Sequence, residues 1–290
     1  MPDAKQKIGR AVLLAGGPKP APLAERAGRS VLDLLITPTS TALGCWIDRI
    51  SALGDRLDEG FVLTVVHDSR VPRPTDPSGC GFEVNIVVEP ATFRGPAGVV
   101  LDMVVDEPPE TLVLIAEAQR YVGVDLEPMV AEHESRGADI TVAANDDESP
   151  AGLYLVRRST LNLVGEVGFT DLKEQWLRTA VDQGLNVWCH RLASPGAMPI
   201  RTLKQLVGAA FVANGWGENR SGPDEKPGRG RSVIAQGAVL APDAAVLHSI
   251  VMADARIGSG AVVARSLVLP GAEVDPGAEV VDAAIIPRKL

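Results

Sequence analysis

The sequence predicts an α/β unit, a mostly parallel sheet with helices on both faces, followed by a small parallel β-helix. Two patterns carry this. Over the first two hundred residues, six short, nearly continuous apolar runs alternate with helical stretches: Ala11–Leu14, Val62–Val66, Asn85–Val88, Leu112–Ile115, Ile140–Ala143 and Leu153–Val156. Runs polar on neither face suit strands covered on both sides, as in parallel sheets. Over the last sixty, aliphatic residues recur every six: Ile234, Leu240, Val246, then Val251, Ile257, Val263, then Val268, Val274, Val280. Twice the step is five, within Leu247–Ile250 and Ala264–Leu267. Small and turn-forming residues sit between the beats, among them Gly237, Pro242, Asp243, Gly258, Gly260, Pro270, Gly271, Pro276 and Gly277. Such hexapeptide repeats build a coil whose stacked turns bury an aliphatic column that no single repeat could bury.

The helices read as follows. Asp125 caps a segment with Met129, Val130 and His133 on one side, ending at Gly137. Asp171 and Glu174 have capping-box spacing, ahead of an apolar stripe of Leu172, Trp176, Leu177, Ala180 and Val181 closed by Gly184. A last helix carries Leu203, Leu206, Val207, Ala210 and Phe211 and stops at Gly215. Residues 218–231 are polar, Gly/Pro-rich and aperiodic. They read as a linker between an α/β domain over 8–217 and a β-helix over 232–287. Val71–Gly81 reads as a surface loop between two strands.

Composition narrows the partners. The 290 residues are 46% hydrophobic, ample for a core, and the net charge of −9 argues against nucleic acid. Three widely spaced cysteines, Cys45, Cys80 and Cys189, fit a reducing compartment and form no CxxC site. The apolar run Ala11–Ala15 is too short for a signal core, and no stretch approaches a membrane span. The expectation is a cytoplasmic protein.

The first strand runs straight into Ala15-Gly16-Gly17, where a strand followed by glycines lets backbone approach a phosphate. Any tight turn uses glycine too, so turn and phosphate nest both stand.

The order of pieces resembles the sugar-1-phosphate nucleotidyltransferases, the nucleotide-sugar pyrophosphorylases, over nearly the whole chain. Residues 11–17 (AVLLAGG) are similar to the family's opening strand and loop, and 41–50 (TALGCWIDRI) to the helix after its sugar-phosphate loop. Gly95-Pro96-Ala97-Gly98 resembles the Gly-Thr-Ala segment that borders the base. Residues 112–118 (LVLIAEA) occupy the strand that normally ends in a metal-binding Asp, and 137–142, 152–156 and 168–174 follow in the expected order. The resemblance implies a Rossmann-like nucleotidyltransferase fold with a left-handed β-helix tail. It also implies attack of a sugar 1-phosphate on a nucleoside triphosphate with release of pyrophosphate. Both reactants are anions, so Mg²⁺, cations and backbone amides are required. On this reading Ala15, Gly16, Gly17 and Lys19 cradle phosphates, with Arg29 as a second catalytic cation. Gly95, Ala97 and Gly98 border the base, and Glu117 holds the metal.

The pattern departs from the family at several points. Gly17 is followed by Pro18-Lys19-Pro20 in place of Gly-Thr-Arg-Leu, with Arg26 and Arg29 further on. The metal Asp is Glu117, and the second metal Asp falls at Pro199, which has no ligating side chain. Only Ala143–Ala151 stands where the family has a longer sugar-contacting excursion, and its Asp146, Asp147 and Glu148 read as solvated. A divergent enzyme and an inactive nucleotide-sugar-binding or regulatory subunit therefore both remain. A third reading is acyl transfer from the β-helix, resting on His248, which has no acidic partner nearby in sequence. His133 reads as a charge suited to a helix C-terminus, His67-Asp68 as the end of the second strand, and Cys189 as core. The β-helix predicts a homo-oligomer.

Overall fold

The computed structural model describes residues 6–17, 19–90, 94–216 and 230–288. Along the chain run β1 (Ile8–Leu14), α1 (Pro22–Ala27), α2 (Ala42–Ser51), β2 (Leu57–His67), β3 (Glu83–Val88), α3 (Gly95–Val104), β4 (Leu112–Glu117) and β5 (Arg120–Val122). Then come α4 (Glu127–Arg136), β6 (Ile140–Ala144), β7 (Pro150–Arg157), α5 (Arg178–Asp182), β8 (Val187–Arg191), β9 (Ala197–Pro199) and α6 (Leu203–Ala213). Two compact units form, interleaved in sequence. The first takes the described parts of Met1–Lys19, Trp46–Ala118 and Val122–Ala197, and the second those of Pro20–Cys45, Gln119–Tyr121 and Met198–Leu290. The expected linker, 218–231, lies outside the described residues except at its last two positions.

The first unit is built on a seven-stranded sheet of order β3-β2-β1-β4-β7-β6-β8. All pairings are parallel except those of β7 with β4 and β6. The reversal has a simple cause. A parallel return needs a crossover of a dozen or more residues, and the chain between β6 and β7 closes a hairpin instead. Asn145 N–H donates to the Ser149 carbonyl at 2.9 Å, and the Asp147 carboxylate accepts from the Ser149 N–H and hydroxyl at 3.0 and 2.6 Å. The segment expected to be too short for a sugar loop is thus a tight turn, and Asp146, Asp147 and Glu148 are exposed on it.

One face of the sheet packs Val12, Val66, Ile115, Ile140, Tyr154 and Val156 against α3 and the Leu172–Ala180 segment. Trp176 is buried there, edge-on to Tyr154, and its indole N–H donates to the Thr160 carbonyl at 3.0 Å. Side chains alternate along a strand, so Thr141 points to the other face, where it meets His133 of α4 at 2.8 Å. Arg56 clips α4 down through Glu127 and Glu134, at 2.9 and 2.8 Å.

Five sequence expectations need correction. Asp125 accepts from the Glu127 N–H, but Leu126 is the N-cap of α4. Asp171 does cap its helix, yet Gln175, one residue beyond Glu174, returns the bond to the Asp171 N–H, and the helix opens with a π turn over Leu172–Leu177. Val181 is 55% exposed because the π turn rotates the stripe beyond it. Cys189 is exposed on β8, an edge strand. His133, expected as a charge, is fully buried, and burial holds its pKa down to about 4, so it is neutral.

In the second unit the six-residue beat becomes three parallel walls: β10 (Val233–Ile234), β13 (Ile250–Val251), β16 (Leu267–Val268) and β19 (Ala284–Ile285); β11 (Val239–Leu240), β14 (Arg256–Ile257) and β17 (Glu273–Val274); β12 (Ala245–Leu247), β15 (Val262–Ala264) and β18 (Glu279–Val281). Partners such as Val246 and Val263 are one coil apart. Val246, Val251, Ile257, Val263, Val268 and Val274 form the buried column, with Leu240, Val280 and Ile285 packed against it. The five-residue steps place His248, Arg265 and Asp282 at positive φ, and a ladder of Ser232, Ser249 and Ser266 runs beside them. Each serine hydroxyl accepts the N–H one coil above, at 3.1 Å. That shorter step satisfies a corner donor which the wall strands leave open. No helix among the described residues is long and apolar enough to cross a membrane.

Candidate functional site

In open α/β sheets, ligands bind beyond the carboxyl ends of strands at the point where strand order reverses. Here that point is β1, with β2 and β3 to one side and β4 to the other. The last residue of β1, Leu14, pairs with Glu117, the last of β4. The glycine loop and the acidic strand end, expected from sequence to act together, therefore open on the same edge.

The loop leaves the sheet under control of both neighbours. Ala15 N–H donates to the Val66 carbonyl at 2.8 Å, and Ala118 N–H to the Leu14 carbonyl at 2.9 Å. Trp46, buried in α2, donates its indole N–H to the Ala118 carbonyl at 3.0 Å and locks the β4 end. Gly16 leaves room that a Cβ would take from the Glu89 carboxylate, which lies directly over it. Lys19 is exposed beyond the loop. Arg29 belongs to the second unit, just past the left-handed Gly28 that ends α1.

Three residues at this edge were missed as site residues. Arg70 grips Asp68 through two nitrogens, at 2.8 and 2.6 Å, and donates to the Gly17 carbonyl at 2.5 Å. The Arg70 guanidinium holds the Asp68 carboxyl below its usual range. Burial pushes the Glu89 carboxyl up, helped by Asp68 and opposed by Arg70. The available signal was position: His67-Asp68 and Glu89 close β2 and β3, the two strands on one side of β1. His67 is buried with Nδ1 near the Asp68 carbonyl at 3.2 Å, and its Nε2 has no hydrogen-bond partner among the described residues.

The Gly95–Gly98 segment is shaped by packing. Gly95 has φ +71°, and a Cβ there would stand 2.6 Å from the Thr170 carbonyl oxygen. Ala97 is fully buried and spends its N–H on the same oxygen at 3.1 Å, while Gly98 makes room for the Arg94 side chain. Arg94 also donates to the Gly165 and Glu166 carbonyls and pairs with Asp102 at 3.0 Å. These residues thus seat the 165–174 segment on the start of α3.

That segment returns to the crevice through Lys173, whose ammonium lies 3.6 Å from the Glu117 carboxylate. Among the described residues no three His, Cys, Asp or Glu side chains cluster as a metal site. Pro199 lies in β9 and offers no oxygen from its side chain. A lone carboxylate already beside a cation does not fit a protein-held Mg²⁺, which wants several hard oxygens in octahedral array. In the second unit His248 is exposed and stacks edge-on against Phe211, centroids 5.0 Å apart.

Residues 221–290 match the family model described as GlmU-like, C-terminal hexapeptide. No curated protein matches the chain. The C-terminal repeat is thus similar to a GlmU-like hexapeptide segment, compatible with a relative of nucleotidyltransferases or of acyltransferases.

Proposed function

We propose that the chain is a nucleotidyltransferase-like protein that binds a nucleoside triphosphate and a sugar 1-phosphate and joins them into a nucleotide sugar, releasing pyrophosphate. One observation supports this above the others: the Ala15–Gly17 loop follows Leu14, which pairs with Glu117 at the switch point of the sheet, in a chain whose tail is similar to a GlmU-like hexapeptide segment. Gly16, Gly17 and Lys19 bind phosphate on this reading. Arg29 is a further cation of the reaction, and Gly95 to Gly98 position the wall beside the base. Mg²⁺ arrives with the triphosphate, with its phosphate oxygens as the main ligands and Glu117 contributing one more at most. In the reaction a phosphate oxygen of the sugar attacks the α-phosphorus, the bond to the β-phosphate oxygen breaks, and pyrophosphate leaves. The experiment is to incubate the protein with each triphosphate, a set of hexose 1-phosphates and Mg²⁺, and measure pyrophosphate and nucleotide sugar. Release of neither removes the catalytic reading.

A second reading, a nucleotide-sugar-binding or regulatory subunit without turnover, draws on a specific observation. The Glu89 carboxylate lies over Gly16, where a phosphate would sit, and like charges repel. Calorimetric binding of a nucleotide sugar without turnover would select it. Acyl transfer rests on His248 alone, and failure to bind acyl-coenzyme A ends that reading. The coil is left-handed on this proposal, and the protein is cytoplasmic and a homo-oligomer through its β-helix. A monomer by sedimentation at micromolar concentration refutes the last point.

A further inference from the structure

We infer that Lys173 is a phosphate-binding cation of the β1–β4 crevice, engaging the pyrophosphate portion of a triphosphate without a protein-held metal ion. The ligand class rests on the nucleotide reading above; the cation itself rests on geometry. At the strand end where the family resemblance puts a metal ion beside a carboxylate, the structure puts an ammonium 3.6 Å from Glu117. The two side chains are 40% and 42% exposed, so the pair is wet on both sides. Such a pair holds loosely, and an incoming anion of several charges competes well for the ammonium against one carboxylate.

The backbone of Lys173 is set from two directions while its side chain stays open. Asp171 accepts the Lys173 and Glu174 N–H groups at 2.7 and 2.9 Å. Just before it, Thr170 donates to the Arg94 carbonyl at 2.9 Å and accepts from Ala97 at 3.1 Å, an approach allowed by the missing side chain of Gly95. Arg70, another cation at this edge, is engaged with Asp68 and the Gly17 carbonyl, so its charge is largely offset. Lys173 has the opposite character: a flexible stem and a compact charge of the kind that binds phosphate as a point cation.

The test is calorimetric titration of the full chain with inorganic pyrophosphate, once in excess EDTA and once with Mg²⁺. Pyrophosphate is expected to bind in EDTA. Lys173→Ala should weaken it at least tenfold, Lys173→Arg should restore most of it, and Glu117→Gln should tighten it by releasing the ammonium. Thermal melts by circular dichroism check that each variant is folded. The inference is overturned by equal affinity of the parent protein and Lys173→Ala, by no binding in EDTA, or by binding that requires Mg²⁺. Failure of nucleotidyl transfer is a separate result. Lys173-dependent pyrophosphate binding with no turnover on any substrate pair leaves the inference standing and removes the enzyme. Full turnover by Lys173→Ala removes the inference and keeps the enzyme.

Discussion

The sheet unit and the coil unit reach a buried core by opposite routes. In the sheet, strands of up to eleven residues pair with partners far away in sequence, and Leu14 meets Glu117 across 102 intervening residues. In the coil, strands of two or three residues pair one turn away, and every wall repeats its neighbour's register. The two routes place chemistry differently. Distant pairing brings unlike residues together at one edge, here glycines, carboxylates, an arginine and a lysine. A repeat stacks like upon like, which makes an aliphatic column, a serine ladder and little else.

Five changes test that contrast, from the largest effect down. Val263→Asp puts an unpaired charge in the fully buried coil column and should cost about 4 kcal/mol or more, read by denaturant unfolding. Were the variant as stable as its parent, the column would not be the coil's core. In the sheet unit, Trp176→Ala removes a large buried ring and its bond to Thr160, a loss of about 3–5 kcal/mol by the same measurement. His133 gives the sheet a pH dependence that comes from a buried group. Its folded pKa of about 4 lies below the ordinary 6.5, so the unfolded chain takes up its proton first. Stability from this group is full above about pH 6.5 and is lost progressively toward pH 4, up to about 3 kcal/mol. His133→Gln should flatten that slope, and an unchanged slope would mean another group sets it.

Ser249→Ala leaves the buried Ser266 N–H without its acceptor, a cost of about 1–3 kcal/mol in thermal melts. An unchanged melt would show that the ladder is incidental to the stack. At the bottom of the scale, Asp282→Asn breaks an exposed ion pair with Arg265 and should leave the melting temperature unmoved.

Legibility in the sequence followed the same division. The coil was readable almost residue by residue, because an inward aliphatic every six positions is a local signal. The expected runs at 11–14, 62–66, 112–115 and 153–156 all lie inside real strands. The glycine loop and Glu117 were readable as candidates because both end apolar runs. Lys173 was not: it lies on a helix start 56 residues beyond Glu117, and only the seating of Thr170 on α3 brings it back. Arg70 and Glu89 were missed because a charge after a strand looks like any solvated loop charge until the strand order is known. His133 was misjudged for a related reason, since helix position suggests a charge and only the sheet above shows that it is dry.

The sequence alone already carried the six apolar strands of the sheet, the helices α4, α5 and α6, and the column of the coil. Local periodicity suffices for these, since each depends on residues within a turn or two of one another. The strand order, the crevice at the ends of β1 and β4, and the company of Glu117 were decided only by the tertiary structure. A sheet edge is assembled from strand ends that are neighbours in space and strangers in sequence, and the charges that meet there are set by pairing across the sheet.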